Sequence, residues 1–422
     1  MTVEEKLLEY CKKHKHAIMS LIALCIMCGV YTGVVFNTLT LYMEPIINEI
    51  ATISRTQFAM IITLAGGTNA VLSLAVFGKM VEKLKLKKCI ILGAISICLA
   101  LLLFAKTTGI IQLYIGGILL GIGITFGAAG AASVGVDAWF ARRNATMLSI
   151  PIACGFAAGI VFSPMIGKWI LHIGWRNSFY TALIITVICS TLVAVLYKDF
   201  PEQVGESKMF SEEENTTEQV EEMVYGVTFG EMFKTPQFYA LSIGYFIAGI
   251  TIYSVMSNMA IFSADYGFDA ITQGKMLAVM FAASAIAMIP MGFVSDKFGT
   301  FITMLGCFGC HIIAVFILLG NTITDIKLYI AAVLVGISYI GTNGPATISV
   351  REGLGTRDFS KKMPIILGCM FAGVSFGNPV LQMFYDIFGS YRNGFRIYLG
   401  LSVVAIGLIY VGTRKVHTEK RR

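Results

Sequence analysis

The sequence predicts an all-α membrane protein whose twelve transmembrane helices form two six-helix bundles. Composition is the first reason. Of 422 residues, 56% are hydrophobic and only 14% are charged, against about 25% charged in an ordinary soluble domain. The mean hydropathy is +0.76, more apolar surface than a water-facing globule can hide. The second reason is a series of apolar runs, each near the roughly 20 residues a helix needs to cross a bilayer. The third is a repeat. The stretch from Gly78 through Glu82 and Lys83 to Lys88, and the stretch from Gly292 through Asp296 and Lys297 to Gly299, each follow an apolar run. Each has a glycine, three further residues, an acid and a cation. They lie 214 positions apart (292 minus 78), about half the chain, as expected of a duplicated protein.

The chain opens on a charged segment, Met1 to His16, with no short apolar region ahead of a small-residue cleavage site. The first apolar run is therefore expected to stay as a membrane anchor. Runs of spanning length occupy 17–37, 57–78, 89–106, 109–134, 146–171 and 177–197, then 238–262, 276–294, 301–320, 327–349, 364–386 and 394–412. Each must be helical, because an unclosed strand leaves backbone groups unpaired in lipid. Between the sixth and seventh, Lys198 to Pro236 holds ten of the 25 acids. Its like charge and few apolar residues predict a flexible linker, with room for a short surface-lying helix near Val224 to Phe233. The predicted division is 1–197 for the first bundle, 198–236 for the linker and 237–422 for the second bundle.

Orientation follows from Lys and Arg in alternate loops. With the N-terminus inside, the inner segments hold 24 and the outer loops eight, which predicts cytoplasmic termini and a cytoplasmic linker in a plasma-membrane protein. The net charge of +7 is thus a topology signal and not a nucleic-acid footprint. Glycine, 43 residues in all, concentrates where helices should approach closely: six in the fourth span, from Gly116 to Gly130, and Gly155, Gly159 and Gly167 in the fifth. The C-x-x-C pairs Cys25/Cys28 and Cys307/Cys310 fall mid-span, where cysteine packs as a small hydrophobe.

Twelve spans in two halves, a linker and a hairpin after spans 2 and 8 resemble the major facilitator superfamily. Its hairpin signature is G-x-x-x-D-[RK]-x-G-[RK]-[RK]. The first copy matches at Gly78, Lys83, Lys87 and Lys88, with Glu82 for Asp and Lys85 where the second Gly is usual. The second matches at Gly292, Asp296, Lys297 and Gly299. A narrower likeness is to the monocarboxylate porter and oxalate/formate antiporter branch. It rests on Trp139-Phe140-Ala141-Arg142-Arg143-Asn144-Ala145, Gly174-Trp175-Arg176, Gly29-Val30-Tyr31 and Gly389-Ser390-Tyr391. One departure stands out: spans 8 and 11 lack the core charges that these relatives carry, so the carboxylate clamp is missing.

No Asp, Glu, Lys or Arg occupies the middle of any span, although intramembrane charge is the usual mark of an ion pathway. His311, the one ionisable imidazole in mid-span, is expected to be a hydrogen-bonded packing residue. The superfamily resemblance implies that spans 1, 4, 7 and 10 line the central cavity, and helical spacing then selects polar stripes. These are Tyr31 and Thr38 in span 1, Thr251, Ser254 and Asn258 in span 7, and Tyr339, Thr342 and Asn343 in span 10. Span 11 adds Ser375, Asn378 and Gln382. Each stripe serves equally as helix–helix glue, since polar groups in lipid need partners, or as a solute contact, with Asn343 and Tyr31 foremost. By resemblance, Gly78, Glu82, Lys83 and Lys87 with Asp296 and Lys297 form inner latches. Glu82 is expected near the start of span 11 and Asp296 near the start of span 5, joined by Asp137, Arg142 and Arg143.

The resulting expectation is a secondary transporter that moves a small organic solute, first a monocarboxylate, by alternating access. It would be a monomer in the lipid bilayer with no cofactor or nucleic acid. A coupled proton, a counter-anion and uncoupled flux all stay open. No Walker A loop is present, nor any paired His/Glu, Cys/His or Asp/Asp constellation for enzymatic chemistry. The rival is a non-transporting ligand sensor on the same scaffold.

Overall fold

The computed structural model describes residues 14–141, 144–210, 225–320, 322–341 and 344–414. They are helical almost throughout, and the chain groups into two compact units: Met1–Pro45 with Gly67–Glu218, and Ile46–Gly66 with Gln219–Arg422. Two of the boundaries, at 45/46 and 66/67, fall inside helices, and residues 46–66 pack with the second unit although they precede most of the first in sequence.

The helices of the first half are α1 (Lys15–Cys28), α2 (Met43–Glu49), α3 (Arg55–Ala75), α4 (Phe77–Leu84), α5 (Leu86–Ala105), α6 (Ile110–Gly127), α7 (Ala129–Trp139) and α8 (Asn144–Leu196). Those of the second half are α9 (Phe229–Met232), α10 (Pro236–Ala248), α11 (Ser254–Asp265), α12 (Ala270–Phe298), α13 (Thr300–Leu318), α14 (Asp325–Ile340), α15 (Gly344–Leu354), α16 (Phe359–Phe388) and α17 (Arg392–Thr413). Among the described residues, nine continuous segments and one bent pair are long and apolar enough to cross a membrane. Eleven of the twelve predicted runs map onto them because α8 holds two, and the twelfth, 327–349, falls on the 16-residue α14, shorter than a full span. At 53 residues it would be about 80 Å long if straight, more than twice the roughly 30 Å apolar core. It breaks at Gly174, where φ is 80° and ψ 157°, a conformation open essentially to glycine. Arg176 then donates to Ala105 O at 3.1 Å and Thr107 O at 2.9 Å, satisfying carbonyls at the end of α5. The G-W-R motif is a helix break with its own staple.

Both halves share a second irregularity. After α1 the chain forms a π-helix over Gly29–Phe36, and after α10 another over Gly249–Tyr253, starting 220 positions later (249 minus 29). Close backbone contact accompanies each. A Cβ on Gly33 would lie 2.5 Å from Gly155 O and 2.6 Å from Ala158 Cβ, so only glycine lets this turn meet α8. Gly249 meets the backbone of Met370 and Val374 on α16 in the same way.

The two hairpins agree in backbone but not in residue type. Lys85 has φ 68° and ψ 158°, and Gly299 has φ 84° and ψ 162°, again 214 positions apart (299 minus 85). The helix after each turn is capped by a carboxylate from its own unit. Asp199 Oδ1 accepts from Lys87 N at 2.7 Å, and Glu352 Oε1 accepts from Thr300 N at 3.2 Å. A lysine where glycine belongs stores about 1–3 kcal/mol of strain. Because the Lys85 side chain is exposed, Lys85→Gly is expected to raise the apparent melting temperature by a few degrees. Lys83→Gly, inside α4, should lower it. A lower melting temperature for Lys85→Gly would show that the turn is unstrained.

The linker is more ordered than its composition predicts. Its first part lies on the first unit: Met209 N donates to Trp139 O at 2.9 Å, Met209 O accepts from Ala141 N at 3.0 Å, and His16 Nδ1 meets Glu206 Oε1 at 2.6 Å. Its last part lies on the second unit, where Val227 N donates to Leu354 O at 3.2 Å and Arg357 N to Tyr225 O at 3.1 Å. Here Lys362, fully buried, donates from Nζ to Val227 O, Leu354 O and Gly355 O at 3.3, 2.7 and 3.0 Å. Burial lowers the pKa of this ammonium below the usual lysine range, and the nearby Asp358 carboxylate partly opposes that shift. The short helix expected near Val224 to Phe233 is α9. It opens on a Thr228/Glu231 capping box and buries Met232 in the core of the unit, so it rests on protein. Residues 211–224 lie outside the described residues. Lys362→Met should speed amide hydrogen exchange at Val227 and Phe229 at least about tenfold, since three carbonyls lose a charged donor. Unchanged exchange would show that the strand pairing alone holds the segment.

Candidate functional site

In the first unit the leading candidate, Tyr31, sits in the π-helical turn and is fully buried. Its hydroxyl meets Ser190 Oγ at 2.8 Å. Its ring lies against Gly127, where no Cβ would fit. Thr38 donates to Val34 O at 2.5 Å, one turn back. Composition did not flag Asn69 and Thr125, yet Thr125 Oγ1 donates both to Asn69 Oδ1 at 3.1 Å and to Gly121 O at 2.8 Å.

The second unit gathers more of the candidates. Hydroxyls on α10, α11 and the turn between them bond backward along their own helix: Thr251 to Ile247 O at 2.9 Å and Ser254 to Ile250 O. Ser375 likewise donates to Phe371 O at 3.0 Å, and its own carbonyl accepts from Thr63 at 2.5 Å. Tyr339 packs its ring 6.2 Å from that of Tyr253. The amides bond to one another. Asn258 Nδ2 donates to Ser254 O at 2.7 Å and to Asn378 Oδ1 at 2.5 Å, and Gln382 Nε2 donates to Asn258 Oδ1. All three residues are at most 2% exposed.

This triad continues outward. Tyr391 OH donates to Gln382 Oε1 at 2.8 Å and accepts from Arg55 Nη1 at 2.9 Å. Arg55, the first residue of α3, forms a two-pronged ion pair with Asp265, the last residue of α11. The guanidinium also lies 3.9 Å from the centre of the Tyr385 ring, and Tyr385 OH donates to Asp265 at 3.3 Å. Side chains from α3, α11, α16 and the α16–α17 turn thus form one chain of hydrogen bonds, from a membrane-embedded amide to an ion pair at the helix ends. A cavity of about 190 Å³ opens beside that pair, lined by Asp265, Tyr385, Tyr391 and Arg392 among others. Arg55 and Asp265 were legible only as charges near span ends. Their pairing, 210 positions apart, is a tertiary fact. Tyr391 was visible as part of the Gly389-Ser390-Tyr391 motif without a role.

Glu82 and Lys83 are exposed on α4, while Lys87 is engaged through its backbone. Gly78 has open space about its Cα. The backbone carbonyl of Asp137 accepts from Lys208 Nζ at 2.9 Å, and Lys297 is exposed beside the Phe298 ring at 5.3 Å. Thr342, Asn343, Arg142 and Arg143 lie outside the described residues, as does the side chain of Asp296. His311 is buried but makes no hydrogen bond from either ring nitrogen. Its expected role as a hydrogen-bonded packing residue therefore gives way to apolar packing. The described cysteines are all free thiols.

Residues 19–359 match the family described as Major Facilitator Superfamily. The chain belongs to that superfamily. It is a multi-pass membrane protein of the major facilitator fold, as the helices above and the structural likenesses agree. A bacterial homologue of the human lysosomal transporter Spinster, in an inward-facing and unoccupied conformation, aligns with a TM-score of 0.69 at 16% identity, over 94% of this chain and 97% of that one. The nucleoside transporter NupG aligns with a TM-score of 0.73 at 12% identity, over 94% and 98%. At these identities the likeness is one of fold. Among curated sequences, the MFS-type transporter pynF of Aspergillus niger is 22% identical over 244 residues, which is 56% of this chain and 52% of that protein. The chain thus spans about half the length of that relative.

Asn258 tests how the amide triad contributes to stability. Asn258→Leu removes the shared partner and strands Asn378 Oδ1 and Gln382 Nε2 in a buried site, which should cost about 2 kcal/mol and lower the apparent melting temperature. The double change Asn258→Leu with Gln382→Leu is expected to recover part of that loss, and a purely additive double mutant would show that the amides are not coupled.

Proposed function

We propose that this protein is a secondary transporter that moves a small organic solute across a membrane by alternating access. The observation that carries the proposal is the buried amide triad Asn258–Asn378–Gln382 and its hydrogen-bonded path to Arg55–Asp265. Polar groups this deep in lipid are expensive, and in membrane proteins they mark substrate paths. The family assignment supports the same reading. By covalent order residues 46–66 belong with the first predicted bundle (1–197), yet they pack with the second unit. When the bundles 1–197 and 237–422 rock about the linker 198–236, the Arg55–Asp265 pair must break and reform. It is therefore the outer clamp of the cycle.

The inner latches are the hairpins. Glu82 with Lys83 and Lys87, and Asp296 with Lys297, face the starts of spans 11 and 5 in this reading, with Asp137, Arg142 and Arg143 completing the charge network. Both termini and the linker lie in the cytoplasm, and the membrane is the plasma membrane. The solute contacts come from the polar stripes already named, Asn343 and Tyr31 included. A monocarboxylate is the solute favoured by the narrower likeness, and spans with no Asp, Glu, Lys or Arg at their middle suit a singly charged or neutral organic molecule better than a dianion. A coupled proton or counter-anion would have to bind without a mid-span carboxylate.

Uptake into proteoliposomes against a matched ligand-binding measurement tests the cycle. Glu82→Gln should slow uptake several-fold and leave binding within about twofold, because a latch changes the rate of interconversion and not the site. Lost binding with normal turnover would overturn the latch. Binding with no flux in the unmodified protein would make it a sensor.

A further inference from the structure

The polar chain of the second unit has a direction. The two ends of an amide differ only in whether they donate or accept, so the one-way groups in the chain decide which way each amide faces. Arg55 is one of these, since a guanidinium donates and never accepts. Tyr391 must therefore accept from Arg55 through its oxygen. Its single hydrogen then goes to the acceptor at hand, Gln382 Oε1, at 2.8 Å. That turns Gln382 Nε2 toward Asn258 Oδ1 and leaves Asn258 Nδ2 to donate onward to Asn378 Oδ1 at 2.5 Å. The second one-way group agrees with the first. Ser254 O can only accept, and it takes the other Asn258 Nδ2 hydrogen at 2.7 Å. Reversing the amides would set Asn258 Oδ1 against Ser254 O and leave the Tyr391 hydrogen idle.

The chain ends at Asn378. Asn258 Nδ2 makes two hydrogen bonds and Gln382 Nε2 one, whereas Asn378 Nδ2 makes none with any described residue. The residue is 1% exposed. An amide N–H₂ that bonds to no described residue, its own helix included, is available to an incoming acceptor oxygen and gains a hydrogen bond when one arrives.

We propose that Asn378 Nδ2 is a solute-contacting donor which takes an acceptor oxygen, carbonyl or carboxylate, on the transported molecule, and that Arg55 is the positioning residue holding that donor orientation through Tyr391, Gln382 and Asn258. This rests on the transport reading above and narrows its substrate class to solutes that present an unprotonated oxygen. It also couples the ends of the relay. When the outer pair parts, one of the two groups that orient the amides is lost, and the Asn378 donor is held less firmly.

The test uses the full chain purified in detergent, with affinities from calorimetry or thermal stabilisation. The probes are straight-chain monocarboxylates of two to six carbons, their primary amides, and primary ammonium compounds of the same lengths. Acids and amides are expected to bind at least about tenfold more tightly than the ammonium series, the value of one well-placed hydrogen bond. Asn378→Asp replaces the donor by an acceptor and should invert that order. Arg55→Met and Tyr391→Phe should each weaken acids and amides several-fold with little effect on the ammonium series. Arg55→Lys, also a donor that cannot accept, should restore most of the loss. Tyr391→Phe removes a single oxygen and keeps the test available if Asn378→Asp does not fold. Equal binding of ammonium compounds, no inversion in Asn378→Asp, or no binding by any member of the panel overturns the assignment. Vesicle uptake separates this from the transport reading: acid-selective binding without flux removes the transporter and keeps the donor, and flux of ammonium compounds does the reverse.

Discussion

A polar group inside a membrane must bond to the protein, because the surrounding lipid offers neither donors nor acceptors. Much of the arrangement in this chain follows from that constraint. Hydroxyls, with one hydrogen and a short reach, turn back to the carbonyl a turn earlier, as Thr38, Thr251 and Ser254 do. Amides have two hydrogens and an oxygen and cannot be satisfied so locally. Asn258, Asn378 and Gln382 therefore find one another across two helices. Their network then runs to the nearest group that can anchor it, the Arg55–Asp265 pair. Helix ends obey the same rule through Arg176, Asp199 and Glu352.

Close backbone approach is the second determinant, and it repeats in each half. Both π-helical turns, at Gly29–Phe36 and Gly249–Tyr253, press a glycine against the backbone of another helix of the same unit. A π-helical turn widens the coil and disturbs its regular hydrogen bonds, and such turns gather at functional sites. The helices that carry them also carry Tyr31 and the 251–258 stripe. The duplication survives most clearly in backbone conformation: Lys85 and Gly299 share a φ, ψ region that suits only one of the two residue types.

The membrane class, the number and placement of apolar runs, the duplicated hairpins and the superfamily were all legible in sequence. Each rests on properties that add up along a local window, such as hydropathy over 20 residues or glycine at a fixed spacing. The polar stripes were legible too, because helical periodicity places Asn258 and Gln382 on faces that cannot meet lipid. What periodicity leaves open is whether a stripe bonds to a neighbouring helix, to its own backbone or to a solute, and here the hydroxyls and the amides diverge. The linker was misjudged by averaging. Its ten acids hide two short segments, near Met209 and Val227, that pair with loops far away in sequence.

By itself, then, the sequence determined that this is a helical membrane protein of two related halves with an uncharged interior. Tertiary structure alone decided that Arg55 would pair with Asp265 across 210 positions, that Lys362 would bury its ammonium among three carbonyls, and that one amide nitrogen of the three would bond to no described residue. The physical reason is the range of the interactions. Hydropathy and helical periodicity act within a turn or a span, whereas a hydrogen bond is decided within about 3 Å of space, and no local window of sequence contains both of its ends.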